Sequence, residues 1–334
     1  SQGRFITAAP QPFTVEWAGI QTIGTNIVGV LSGREAGAGV IVLGAHYDSI
    51  SVDREDALAA APGANDNATG VAALIEIARI MSQRQPRATV LFVAFGAEEI
   101  GRVGSKAFVE QYILPSGIQV DAMINLDIIG SSTSPNGAIV DDRIRLFSAE
   151  PNNSPSRNLA RMVNLIASRH VPMMSIEVEA TVDREGRFSD HISFSDAGFA
   201  AVRFIEFLED PNRNHTDRDT IDAVRPSYLL RSTQAVLGVA TALAEGPRPP
   251  RSIVLRENGD ATRTLVWETR EDATSYVVAL RQPGSLVYNY YFDVTSNSVT
   301  WDGFRADRWE AIAIASRDRD GLMGPLSQEY IITS

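Results

Sequence analysis

Short apolar runs alternate along most of the chain with segments whose apolar residues recur at helical spacing. Asn26–Leu31, Val40–Ala45, Thr89–Phe95, Val120–Leu126 and Ala200–Phe204 read as strands, because Val, Ile, Leu and Phe suit a buried pleated surface. Thr69–Ser82 has the spacing of a helix, with Val71, Leu74, Ile75 and Ala78 on successive turns. Gly104–Tyr112, Asn158–His170 and Ser227–Ala244 read as further helices. Strands alternating with helices predict an α/β fold, a mixed and largely parallel sheet flanked by helices.

The pattern changes at Glu245–Ser252 (EGPRPPRS), a proline-rich break that reads as a linker. Beyond it lie short β-like runs: Thr264–Glu268, Ser275–Arg281, Val287–Phe292, Ser298–Trp301, Trp309–Ser316 and Glu329–Thr333. No helix period is visible there. The expectation is two domains, residues 1–246 and 253–334, the second a small C-terminal β-sandwich. In strand pattern and length that part is similar to a fibronectin type III module. The length of 334 residues suits two domains better than one.

Composition narrows the function. The net charge of −11 argues against nucleic acid, which needs a basic surface. There is no cysteine, so disulfides, thiolate zinc sites and a cysteine nucleophile are excluded. No run approaches the roughly 18 apolar residues of a membrane span, and Ser1–Pro12 lacks the apolar core of a signal peptide. If the protein is secreted or periplasmic, as expected, its export signal is not in this sequence.

Five short segments hold the candidate chemistry. They are Gly44–Ser49 (GAHYDS), Gly63–Gly70 (GANDNATG), Phe95–Glu99 (FGAEE), Asn125–Asp127 (NLD) and Asn214–Thr220 (NHTDRDT). His46, Glu98, Glu99 and Asp127 fall at the carboxyl ends of expected strands, where open α/β sheets gather ligands. Asp66 heads an expected helix, a favourable place for an acid. Each residue has an ordinary alternative. Asp66 could cap the helix, Asp127 could end a strand as a turn residue, and Glu98-Glu99 could form a solvated turn. A lone histidine after a strand is more often a hydrogen-bonded residue than a ligand. Jointly they make a set of imidazoles and carboxylates suited to zinc. If one carboxylate bridges, two ions can share a water.

In order and spacing, HYDS, GANDNATG, AEEIGRVGS, NLD and HTDRDT resemble the metallopeptidase family M28, the family of bacterial leucine-type aminopeptidases. The resemblance covers residues from about 25 to 245 and implies a zinc-exopeptidase-like fold holding two Zn2+ per chain. It implies that His46 and Asp127 bind one zinc, that Glu99 and His215 bind the other, and that Asp66 bridges them. Glu98 would be the general base, and Asp48 would orient His46. It further implies a cis peptide at Asp66–Asn67. By the same likeness Asp190 and Arg187, in Gly186–His191, would lie near the substrate; Asp190 as a cap and His191 as a packed core residue are the alternatives. Asp219 would fix the loop that carries His215. Some relatives have a tyrosine where this chain has Asn214, so the donor to the tetrahedral oxyanion is left unassigned. Asp53–Ala61 (DREDALAAA) reads as a solvated acidic loop.

The expected reaction is hydrolysis of the N-terminal residue from peptides with a free amino end. One alternative is a glutaminyl cyclase-like acyltransferase on the same fold, holding one zinc. The other is a binding module that kept the fold and lost the chemistry, against which stands the presence of all six residues of the set.

Overall fold

The computed structural model of the protein describes residues 6–54, 56, 58–182 and 187–333. Ser1–Phe5, Glu55 and Ala57 of the acidic loop, and Gly186 of the Gly186–His191 segment lie outside the described residues. The chain divides into two compact units, residues 1–239 and 240–334. Among the described residues no helix is long and apolar enough to cross a membrane.

The first unit begins with a hairpin, β1 (Thr7–Trp17) and β2 (Ile20–Leu31). Its two-residue turn, Ala18-Gly19, has both φ angles positive (50° and 77°), the geometry that fits the right-handed twist of paired strands. The apolar pattern predicts no strand before Asn26, and the reason is plain. β1 buries only Phe13 and Val15, and it carries Pro10 and Pro12, residues that normally argue against a strand. β1 is an edge strand, where proline is tolerated.

There follow β3 (Val40–His46), α1 (Thr69–Met81), β4 (Thr89–Phe95), α2 (Val103–Phe108) and, after a π turn, α3 (Leu114–Ser116). Then come β5 (Val120–Leu126), β6 (Arg143–Ser148), α4 (Pro155–His170), β7 (Ser175–Val178), α5 (His191–Asp196), β8 (Ala201–Glu206) and α6 (Pro226–Glu245), whose last six residues fall in the second unit. α4 starts three residues before the predicted Asn158, because the Ser154 side chain caps it by accepting from Arg157 N at 3.0 Å and proline sits at its first turn. The strands form one mixed sheet in the order β1-β2-β4-β3-β5-β8-β6-β7. β4, β3, β5 and β8 are parallel neighbours at its centre. β3 is buried along almost its whole length, as expected for a parallel strand covered on both faces. On one face Phe108, Ile113 and Phe194 pack on Val42, Val93 and Met123. Ile41, Leu43 and Ala45 alternate to the other face, and α1 packs across β3, β4 and β5.

The second unit has two antiparallel sheets. β9 (Val254–Glu257), β10 (Arg263–Val266) and β13 (Ser298–Trp301) form the first, in the order β13-β10-β9. β11 (Ser275–Arg281), β12 (Tyr290–Val294), β14 (Ala311–Arg317), β15 (Met323–Leu326) and β16 (Tyr330–Ile331) form the second. Leu265 and Trp267 from one side meet Tyr276, Val278, Leu280, Ile312 and Ile314 from the other in one core, so the unit is a β-sandwich. β15 escapes the sequence pattern because Gly324 and Pro325 interrupt it.

Candidate metal centre

The parallel register brings three strand ends level. His46 ends β3 opposite Phe95 of β4, and Gly44 lies opposite Asn125 of β5. His46, the turn after Phe95 and Asp127 therefore leave the sheet on one edge. The turn carrying Glu98 and Glu99 is tied down from both sides. Asn26, fully buried on β2, accepts from Gly96 N at 3.1 Å and donates to the Gly104 carbonyl at 2.9 Å. Gly104 approaches so closely that a Cβ there would lie 2.2 Å from the Gly96 carbonyl oxygen. Asp48 completes the clamp, its carboxylate accepting from the backbone N–H of Glu98 (3.0 Å) and Glu99 (3.1 Å).

Asp66 sits in a loop fixed from outside. The Asp219 carboxylate accepts from Asn65 N and Asp66 N, both at 2.9 Å. Asn67 donates to the Leu126 carbonyl at 2.8 Å and accepts from Ile128 N at 3.0 Å, so this loop is tied to the Asp127 turn. The Asp66–Asn67 peptide is cis. His215 approaches from the far loop with φ 61°, and its carbonyl accepts from Val52 N at 2.8 Å.

These loops put two donor sets side by side. His46 Nε2 is 3.3 Å from both Asp66 Oδ1 and Asp127 Oδ1. His215 Nε2 is 3.2 Å from Asp66 Oδ2 and 3.0 Å from Glu99 Oε2. Asp66 thus turns one oxygen to each histidine. A tetrahedral zinc with bonds of ~2.0 Å spaces its donors ~3.3 Å apart, so both sets fit an ion. Glu99 Oε1 is buried without a hydrogen-bond partner, as suits a carboxylate that can still take a cation. His46 Nδ1 lies 3.1 Å from the Asp48 carbonyl, which fixes the tautomer that leaves Nε2 free to ligate. The Asp48 carboxylate is farther from that ring, at 3.7 Å, and is engaged by the Glu98-Glu99 turn.

The buried charges of the set press on one another. Burial raises Asp127, but Arg203, His46 and Ser189 outweigh it and hold the carboxyl well below its usual range. Burial likewise works against Asp66, yet His215 and His46 keep it low. Hydrogen bonds to Asp66 and Glu99 push His215 up to about 10. Burial, opposed by His46 and helped by Asp190, Asp127 and Glu99, lifts Glu98 well above the usual carboxylate range. Glu98 lines a cavity of about 440 Å³ together with the ligand set, Trp17, Ile100, Ile128 and Phe188.

Asp190 stands just before α5 without a capping hydrogen bond and is pushed up to about 7, chiefly by burial. His191 is fully buried, and burial with Arg203 lowers it to about 3, so it stays neutral. Arg187 lines the cavity and pairs with Glu209, which also takes Arg145. Two further residues escaped the sequence reading. Arg203 on β8 reaches Asp127 Oδ2 at 3.0 Å. Nothing in its apolar surroundings (AVRFIE) signals a partner, although a lone arginine inside a buried strand demands one.

Glu206 is the other. Its Oε2 accepts from Asn65 Nδ2 (3.0 Å), Ser131 N (2.8 Å) and Ser132 N (3.2 Å), yet burial lifts it from 4.5 to about 8. The folded state therefore keeps a proton that the unfolded chain loses from about pH 4.5 upward. Stability falls as pH rises through the window from 4.5 to about 8. Below it the cost is absent, and above it the cost is complete. Glu206→Gln keeps an acceptor and removes the charge. Its stability relative to the native chain should improve by about 1.4 kcal/mol per pH unit inside that window. Paired calorimetric melts at pH 5 and pH 8 check this, and a pH-independent difference would refute it.

The sequence profile of Peptidase family M28 matches residues 26–240. A probable zinc metalloprotease of Leptosphaeria maculans is 30% identical over 300 residues, covering 81% of this chain and 69% of its own. A second, from Pyricularia oryzae, is 35% identical over 261 residues, covering 69% of this chain and 52% of its own. Among solved structures, an aminopeptidase from Aneurinibacillus sp. strain AM-1 superposes with a TM-score of 0.54 at 26% identity, over 68% of this chain and 49% of that one. The chain thus spans about half the length of the last two.

Proposed function

Because the chain belongs to peptidase family M28, we propose that it is an aminopeptidase that holds two zinc ions and releases the N-terminal residue of a peptide. The reading is supported above all by Asp66, whose two oxygens face two different histidines at 3.3 and 3.2 Å. His46 and Asp127 would hold one ion and His215 and Glu99 the other, with Asp66 shared. When bound, the ions supply Lewis acidity toward the scissile carbonyl and a water that deprotonates near neutral pH.

The chain's own residues do the rest. A Glu98 carboxylate oxygen takes the proton of the attacking water and returns it to the departing nitrogen. Asp48, gripping the backbone of Glu98 and Glu99, keeps the base and a ligand at a fixed spacing. Arg203 keeps Asp127 ionised and oriented. The substrate's free amino group rests against the carboxylates of the centre, which selects for chain ends. The sandwich, with sheets of three and five strands, is read as a fibronectin type III-like module.

Metal analysis with an activity assay tests this. Two zinc ions per chain are expected, with hydrolysis of an aminoacyl-anilide that a chelator stops and zinc restores. Equal turnover of an N-acetylated substrate would overturn the exopeptidase reading. A single zinc, with cyclisation of an N-terminal glutamine, would select the glutaminyl cyclase-like alternative.

A further inference from the structure

The acids on the cavity wall all belong to the metal centre. The other charged groups lining it, among the described residues, are arginines. Bound divalent ions would offset the acids and leave the rim cationic. Arg203 is committed to Asp127. Arg187 shares the single carboxylate of Glu209 with Arg145. Arg54 lies over the Trp17 ring at 6.0 Å.

Arg102 is different. It follows Gly101 in a turn, with φ 61°, where its N–H donates to the Glu98 carbonyl at 2.7 Å. That turn carries its side chain to the cavity wall beside Phe188, the guanidinium 6.0 Å from the ring. Its Nη1 is buried and has no hydrogen-bond partner among the described residues. A buried guanidinium N–H without an acceptor is costly, and the group that best satisfies it is a planar carboxylate.

We propose that Arg102 anchors a carboxylate of the substrate, so that the enzyme favours peptides presenting one beside the scissile bond. The proposal rests on the aminopeptidase reading and names its substrate class. Two sources offer the chemistry: an acidic N-terminal side chain, or the C-terminal carboxylate of a dipeptide. The apolar wall formed by Ile100, Ile128 and Phe188 would take the methylene stem in the first case and the neighbouring side chain in the second.

Paired substrates separate the sources on the zinc-loaded protein. Glutamyl-anilide against glutaminyl-anilide reports the side chain, and Leu-Gly against Leu-Gly-amide reports the chain end. One pair should show a kcat/KM ratio of about ten- to hundredfold in favour of the acid. That ratio should shrink in 1 M salt. It should collapse toward one in Arg102→Met and recover in part in Arg102→Lys, with zinc content and melting temperature checked for each variant. Calorimetry with succinate and succinamide needs no turnover. Succinate should bind the loaded native chain about tenfold or more tighter than it binds Arg102→Met, and succinamide should bind the two alike. Ratios near one for both pairs, or succinate binding that ignores Arg102, overturn the proposal. Absence of any hydrolysis with Arg102-dependent succinate binding overturns the aminopeptidase reading alone.

Discussion

Glu98→Gln is expected to bind zinc as the native chain does and to lose about 10²–10⁴-fold in kcat. Glutamine matches glutamate in shape, and neither donor set uses the Glu98 carboxylate, so the four donor-to-donor spacings of 3.0–3.3 Å should be kept. What is removed is the charge and, with it, the capacity to accept and release a proton. KM should change little, because ground-state binding does not need that transfer. Steady-state kinetics together with metal analysis check this. Near-native kcat with two ions bound would remove Glu98 from the role of base.

Asp66→Asn should be as severe by a different route. The carboxylate serves both histidines, with one oxygen 3.3 Å from His46 and the other 3.2 Å from His215. Asparagine keeps one oxygen and turns an amide, a donor without affinity for a cation, toward the other set. Zinc content should fall from two to at most one per chain, and turnover should drop by at least about 10³-fold as the paired-ion chemistry is lost. Loss of a shared negative charge at a buried site would also leave the two imidazoles competing for fewer acceptors. Retention of both ions in the variant would show that Asp66 does not bridge.

The centre of the sheet and the residues gathered at its edge were legible in the sequence, for two separate physical reasons. Val40–His46, Thr89–Phe95 and Val120–Leu126 are buried along nearly their whole length, so apolar residues dominate them and announce the strands. Of the six candidate residues, the two histidines belong to a type the chain uses only four times, and the four carboxylates lie at or just beyond strand and helix ends. What was not legible depends on neighbours distant in sequence. β1 and β6 alternate weakly, since each has an exposed or half-exposed side. Arg203 meets Asp127 only because β8 lies beside β5. Asp219 supports Asp66 across 153 residues of chain. Asp48 divides its work in a way residue type does not announce: its carbonyl meets His46, and its carboxylate engages the backbone N–H groups of the Glu98-Glu99 turn.

The two prolines of the outermost strand set how this molecule behaves in a crowd. All eleven residues of β1 remain in register with β2, so the donors missing at Pro10 and Pro12 are missing from the side that faces away from the sheet. An approaching strand would find carbonyls there with too few N–H groups to answer its own, and could not zip along that margin. The same fringe that hid β1 from the apolar pattern thus disfavours sheet pairing between copies along this edge.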